Sequence, residues 1–290
     1  MLRWLTAVAA AALVAAPTAA AAGPLARHAP VVVHDGRETD LLTSVEAFAG
    51  RVPGVPERRP RPRPAVYGRR AGPWLQYWLL YARNAQDRGV LRTGRHEGDW
   101  EMVQFRLRGG RAVRAVYAQH AGAESCGYSR VRRSRGRPVV FAARGSHAAY
   151  FVPGLRDRTW PDPNDEADGR GRRVRPRLVR ITADSPPWMR YPGRWGASRA
   201  GWIPGEMDPP RGPAFQPQGR WSDPAAWAAA ARPCTRRDCD ERGECDGRET
   251  ASAALLAALG LLGAGLSGGR RLRRAGGGGG GATAAGEPER

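Results

Sequence analysis

The segment Gly94-Arg-His-Glu-Gly-Asp-Trp-Glu101 gathers residue types that can hold a divalent cation: one imidazole, His96, and two carboxylates, Asp99 and Glu101, at H-x-x-D-x-E spacing. If a strand begins near Gly98, Asp99 and Glu101 point to the same face, about 6.5–7 Å apart along the backbone. A turn leading into two same-face carboxylates presents hard oxygen ligands with an imidazole added, so Ca2+ or Mg2+ is the expected occupant. Two further histidines close apparent strands, His120 in Tyr117-Ala-Gln-His120 and His147 in Arg144-Gly-Ser-His147, and with Ser146 they are possible further site residues. The plainer alternatives are ion pairs with the many arginines for the carboxylates, and capping or hydrogen bonding for the histidines. Ser146 and His147 are chain neighbours, which rarely orient as nucleophile and base. No GxSxG elbow is present, and catalytic residues stay unassigned.

Short strands must position these groups. Gly98–Leu107 alternates: Asp99, Glu101, Val103, Phe105 and Leu107 share one face, while Trp100, Met102, Gln104 and Arg106 share the other. Further strand candidates are Val31–Val33, Leu75–Ala82, Ala112–His120, Pro138–Ala143 and Leu178–Thr182. Helical periodicity is confined to Val45–Ala49 and Pro224–Ala231, and the Pro-rich Val55–Pro64 reads as an extended loop. The expected fold is mainly β: an antiparallel β-sandwich with long irregular loops and few short helices over residues 28–230. Asp162–Gly169 (DPNDEADG) is an acidic island that fails the EF-hand pattern, because Ala167 occupies the required glycine position; it reads as a polar loop, with a cation site as the alternative. Trp160, Trp188, Trp195, Trp202, Trp221 and Trp227 read mainly as packing, with some able to face carbohydrate or lipid.

The ends suggest where the domain resides. Residues 1–22 combine Arg3, an Ala/Leu/Val run and small residues near Ala22, as in a secretory signal peptide. Residues 250–269 contain an uncharged run, Ala251–Gly269, whose helix of roughly 28 Å matches a bilayer core of about 30 Å. Arg270, Arg271, Arg273 and Arg274 follow, so a transmembrane helix with a cytoplasmic basic flank is expected, and 270–290 becomes a Gly-rich disordered tail. The outline also fits a C-terminal processing signal, although no LPxTG motif precedes the run. Residues 231–249 are then a juxtamembrane linker carrying Cys234, Cys239 and Cys245; with Cys126 they make four, and in an exported domain disulfides are the default, with three pairings open. The net charge of +20 comes with 47 basic residues that are all Arg. Such a charge favours anionic lipids or envelope polymers, and codon bias is an equally physical source of it. No nucleic-acid-binding motif accompanies the charge, so that class is not expected.

The chain resembles the vacuolar protein sorting-associated protein 62 family, in its bacterial secreted branch. The carrying residues are Leu75-Gln-Tyr-Trp78 with Asn84, His96-Glu-Gly-Asp-Trp-Glu-Met-Val-Gln104, Gln119-His120, Pro138-Val-Val-Phe-Ala-Ala-Arg-Gly-Ser-His-Ala-Ala-Tyr150, Arg194-Trp-Gly196 and Gly212-Pro213. More distantly, it is similar to the necrosis- and ethylene-inducing-like cytolysins, whose GHRHDWE heptapeptide lies on a β-sandwich. That resemblance implies a divalent cation held by His96, Asp99 and Glu101, with Asp87 as the nearby match for an upstream acidic ligand. The sequence departs from that heptapeptide by one extra residue between Gly94 and Asp99 and by lacking a histidine directly before Asp99.

These readings lead to an exported protein held at the cell membrane, its main domain extracytoplasmic, with a divalent-cation or ligand-binding site. The alternative is a metal-dependent hydrolase of envelope polymers or lipids. A membrane-damaging factor is a third reading, opposed by the expected anchor.

Overall fold

The computed structural model describes residues 23–57, 63–86, 94–156, 158, 162–197 and 207–234. The expected signal peptide, transmembrane segment and tail lie outside the described residues, as do Asp87, Trp160, Trp202, Cys239 and Cys245. Among the described residues no helix is long and apolar enough to cross a membrane.

In chain order the strands are β1 (Val31–His34), β2 (Ala65–Ala71), β3 (Trp74–Asn84), β4 (His96–Arg108), β5 (Arg111–Gln119), β6 (Gly122–Gly127), β7 (Arg133–Ser134), β8 (Arg137–Ala142), β9 (Ala149–Tyr150), β10 (Gly154–Arg156), β11 (Asp165–Ala167), β12 (Arg173–Val174), β13 (Arg177–Arg180) and β14 (Arg232–Pro233). A seven-stranded sheet runs β13-β2-β3-β4-β5-β6-β14; a smaller one runs β12-β1-β8-β7, with β9 also on β8; β10 and β11 form a separate pair. The mainly β, two-sheet architecture matches expectation, but its pairing is not wholly antiparallel. The pairs β1–β8, β2–β13 and β6–β14 are parallel. Alternation identifies a strand's buried face but says nothing of its neighbour's direction, and each parallel pair joins segments far apart in sequence, as a crossover requires.

Strand alternation explains why the large sheet is buried on both faces. Leu75, Tyr77, Leu79 and Tyr81 of β3 and Val103, Phe105 and Leu107 of β4 pack with Val32, Val140 and Ala142 of the small sheet. The opposite face, with Trp78, Leu80, Trp100 and Met102, packs beneath loops carrying Phe48, Trp188, Met189 and Trp195. The tryptophans of the second half that are described there serve as this covering layer, with Trp100, Trp188 and Trp195 in mutual ring contact at 5.0–5.9 Å.

Helix α1 spans Pro24–Arg27, and α2 spans Pro224–Ala229. Helix α2 starts on a capping Asp223, whose side chain accepts from the Ala226 N–H, with proline in the first turn. The other helical candidate is a 3-10 turn, Val45–Phe48. Cys126 at the end of β6 is disulfide-bonded to Cys234, with Cα atoms 5.2 Å apart, which selects one of the open pairings for those two cysteines.

Candidate functional site

The site grows from the β3–β4 pair. Antiparallel register sets Asn84 opposite His96, Tyr81 opposite Asp99 and Leu79 opposite Glu101. Asp99 and Glu101 therefore fall on the face turned toward the small sheet, at the end of the strand where apolar packing gives way to polar groups. Gly98 fixes how this end is roofed. Its φ is +60°, and a Cβ there would lie 1.9 Å from the Trp195 carbonyl oxygen. A Cβ on Gly196 would in turn lie 2.4 Å from the Glu97 Cβ. The two glycines allow the Trp195 segment to cross β4 at backbone contact distance.

Asp99 is held from behind. The His147 Nδ1–H donates to Asp99 Oδ2 at 2.8 Å, and Asn84 Nδ2 approaches the same oxygen at 3.4 Å. His147 is fully buried, stacks on Tyr81 at 3.7 Å with planes 3° apart, and directs Nε2 toward Glu38 Oε2 at 3.6 Å. Glu38 also accepts from the Gly145 N–H at 2.6 Å. His147 has φ +55°, an uncommon backbone state outside glycine, in the turn joining β8 to β9.

Glu101 differs. It is 5% exposed, and its Oε2 is buried without a partner. Burial first, and the nearby Asp99 charge second, push its carboxyl well above the ordinary value, against the pull of Arg220. Arg220 is also 5% exposed and has an unpartnered Nε; its Nη2 donates to the His120 carbonyl oxygen. Burial lowers its pKa.

A third centre is Asp165. Its carboxylate is buried and accepts from Ser146 Oγ at 2.7 Å, Tyr150 Oη at 2.6 Å, Gln86 Nε2 at 3.2 Å and His120 Nε2 at 2.5 Å. Burial pushes this carboxyl up, but His120, Arg158 and Ser146 outweigh it and hold the group below its ordinary range. His120 follows β5 with φ +53°, and its side chain is 27% exposed. With Nε2–H committed to Asp165, Nδ1 is the nitrogen left for a ligand.

His96, Asp99, Glu101, His120 and Ser146 line one cavity of about 710 Å3, together with Arg220 and the ion pairs Arg158–Asp162 and Arg194–Asp208, each 2.7 Å. Met207 and Phe215 are exposed at its rim. Five of the residues expected at a site are thus brought to one cavity, while His147 lies behind Asp99. His96 donates from Nδ1 to the Gly98 carbonyl oxygen at 2.8 Å, which leaves Nε2 as its free nitrogen. Among the described residues no three His, Cys, Asp or Glu side chains form a ready-made metal cage. Asp99 and Glu101 share one face of β4 and line the cavity, the first anchored and the second with an unpartnered oxygen.

Sequence reasoning missed Asp165, Arg220 and Glu38. The acidic island is a polar segment, but its Asp165 is a buried hub rather than a loop residue; acidity within so basic a chain was the available signal. Nothing distinguishes Arg220 among 47 basic residues in the sequence.

No family model matches the chain, and no curated protein matches it. Among solved structures, one described as "Toxin fold for microbial attack and plant defense" is similar at 13% identity, covering 54% of this chain and 72% of its own, with a TM-score of 0.34. The non-toxic HaNLP3 protein is similar at 13% identity, with 58% and 77% covered and a TM-score of 0.34. Necrosis and Ethylene inducing Protein 2, from the causal agent of cocoa's Witches Broom disease, is similar at 9% identity, with 55% and 73% covered and a TM-score of 0.33. Likenesses this slight carry no functional argument, and the reading of the cavity rests on its own geometry.

Proposed function

We propose that the chain is an exported, membrane-anchored binding protein whose extracytoplasmic cavity holds a divalent cation, Ca2+ or Mg2+, on Asp99 and Glu101, with His96 at its mouth, and offers that cation to a polar ligand. The observation that carries the reading is the buried, unpartnered oxygen of Glu101, a residue that lines the cavity together with Asp99. A buried carboxylate oxygen without a donor costs about 1–3 kcal/mol, and a bound cation removes that cost. The chain supplies the remaining parts. His147 and Asn84 fix the orientation of Asp99. Gly98 admits the covering Trp195 segment. An ion bound by two carboxylates keeps waters or ligand oxygens in its other positions.

The N-terminal and C-terminal apolar segments support export and anchoring.

Calorimetric titration of the purified protein with Ca2+ and with Mg2+ is expected to show one saturable site, lost in Glu101→Gln and Asp99→Asn. Absence of heat and of any thermal shift in the native protein would remove the cation reading.

A further inference from the structure

The cavity holds positive charge as well as negative. Two of its lining arginines are ion-paired, Arg158 with Asp162 and Arg194 with Asp208, while Arg211 is exposed to solvent. Arg220 is the buried one, and it lies in the field of the Glu101 and Asp99 carboxyls without touching them. It makes no ion pair with any carboxylate among the described residues, it is 5% exposed, and its Nε has no partner. A guanidinium offers five donors in a planar fork that matches oxyanions, and leaving one buried with a single bond to a carbonyl is unfavourable. The carbonyl in question belongs to His120, so Arg220 and His120 are neighbours. The His120 ring is in turn fixed by the ionised, fully satisfied Asp165. The cavity thus brings a guanidinium and an oriented imidazole together with the Asp99 and Glu101 carboxyls.

We propose that this cavity takes the phosphoryl group of a phosphoester, its oxygens shared between the cation at Asp99 and Glu101, the Arg220 guanidinium and the His120 imidazole, with the organic remainder against Phe215 and Met207. The cation contact rests on the function proposed above; the contacts to Arg220 and His120 do not. A tetrahedral oxyanion suits groups converging from several directions better than a planar carboxylate does. At about 710 Å3 the cavity exceeds the needs of a free anion and falls in the range of small-molecule sites. The exposed Phe215 and Met207 supply apolar contact at its mouth.

The test is a pair of calorimetric titrations on the full-length protein in detergent: Mg2+ with and without inorganic phosphate, and phosphate with and without Mg2+. Phosphate is expected to tighten Mg2+ about tenfold, with the same factor in the reverse titration, since coupling is reciprocal. Arg220→Gln is expected to abolish the coupling while Mg2+ binds at least as tightly, because a nearby positive charge is gone. His120→Asn serves as a second variant that disturbs one hydrogen bond, and it is expected to weaken the coupling. Mg2+ binding with no phosphate coupling, or coupling unchanged in Arg220→Gln, would overturn the phosphoryl site. Failure of Mg2+ binding itself sinks the cation reading and is separately visible. Acetate coupling as strongly as phosphate would also overturn the assignment. Glycerol 3-phosphate and vesicles of phosphatidic acid at high salt separate a soluble phosphoester from a lipid headgroup; vesicle binding indifferent to Arg220 reports net charge and counts against the site.

Discussion

Replacing Glu101 by glutamine tests the site through its stability before any ligand is added. Glu101 is buried on β4 with an unpartnered oxygen, and burial followed by the Asp99 charge holds its carboxyl well above the ordinary 4.5. For an acid with a raised folded-state pKa, the folded protein binds the proton more tightly than the unfolded chain does. Stability is then greatest below the unfolded value and declines as pH rises from that value toward the folded one, levelling off above it. Within that window each pH unit costs up to about 1.4 kcal/mol. Glu101→Gln removes the titration and keeps the shape. Its stability advantage over the native protein should open just above the ordinary carboxylate range and widen with pH, reaching about 1–3 kcal/mol at neutral to mildly alkaline pH in chelator. Denaturant unfolding followed by tryptophan fluorescence, repeated across that range, reads the difference. Saturating Mg2+ should reverse it, since a ligand at a hundred times its Kd adds about 2.7 kcal/mol to the native protein alone. A difference that is flat with pH, or a variant less stable throughout, would show that Glu101 is a satisfied structural residue and would refute the reasoning.

Other perturbations have equally definite outcomes. Gly98→Ala places a Cβ 1.9 Å from the Trp195 carbonyl at φ +60°; the left-handed backbone alone costs about 1–2 kcal/mol. With the displacement of Trp195 added, a loss above about 3 kcal/mol is expected by chemical denaturation, together with loss of cation heat. Cys126→Ser opens a disulfide spanning 108 residues, and loop entropy sets the expected destabilisation at up to about 4–5 kcal/mol. Because the bond joins β6 to the segment after α2, cation affinity in the folded Cys126→Ser protein should stay unchanged in the same calorimetric assay.

The parts of the molecule legible in the sequence are those governed by local pattern. The alternation over Gly98–Leu107 predicts which face Asp99 and Glu101 share, and the structure extends that strand to His96–Arg108 with the same faces. Strands β1, β3, β5, β8 and β13 fall where apolar runs predict them. Short strands such as β9, β11 and β14 leave no such trace, because two or three residues cannot establish a period. Pairing direction was equally hidden, and the parallel partners of β1, β2 and β6 come from distant chain. The candidate site divides in the same way. His96, Asp99 and Glu101 are close in sequence and readable as a group. Asp165 and Arg220 reach the cavity only through tertiary folding, and their importance lies in burial, which a residue's identity does not disclose.

The Cys126–Cys234 bond also determines how the molecule would carry load. His120 precedes β6 and borders the cavity, whereas Cys126 lies toward the strand's other end, about 14 Å from Gly122 at its start at some 3.4 Å per residue. Chain beyond Cys234 is therefore fastened at the opposite end of β6 from the cavity. Tension applied there passes covalently into a strand of the seven-stranded sheet, bypassing the two-residue β14 that would otherwise peel away first. With the bond intact, pulling on the C-terminal side loads β6 along its hydrogen-bonded length through Cys126. The disulfide thus grounds load from the C-terminal side in β6 rather than in the two-residue β14.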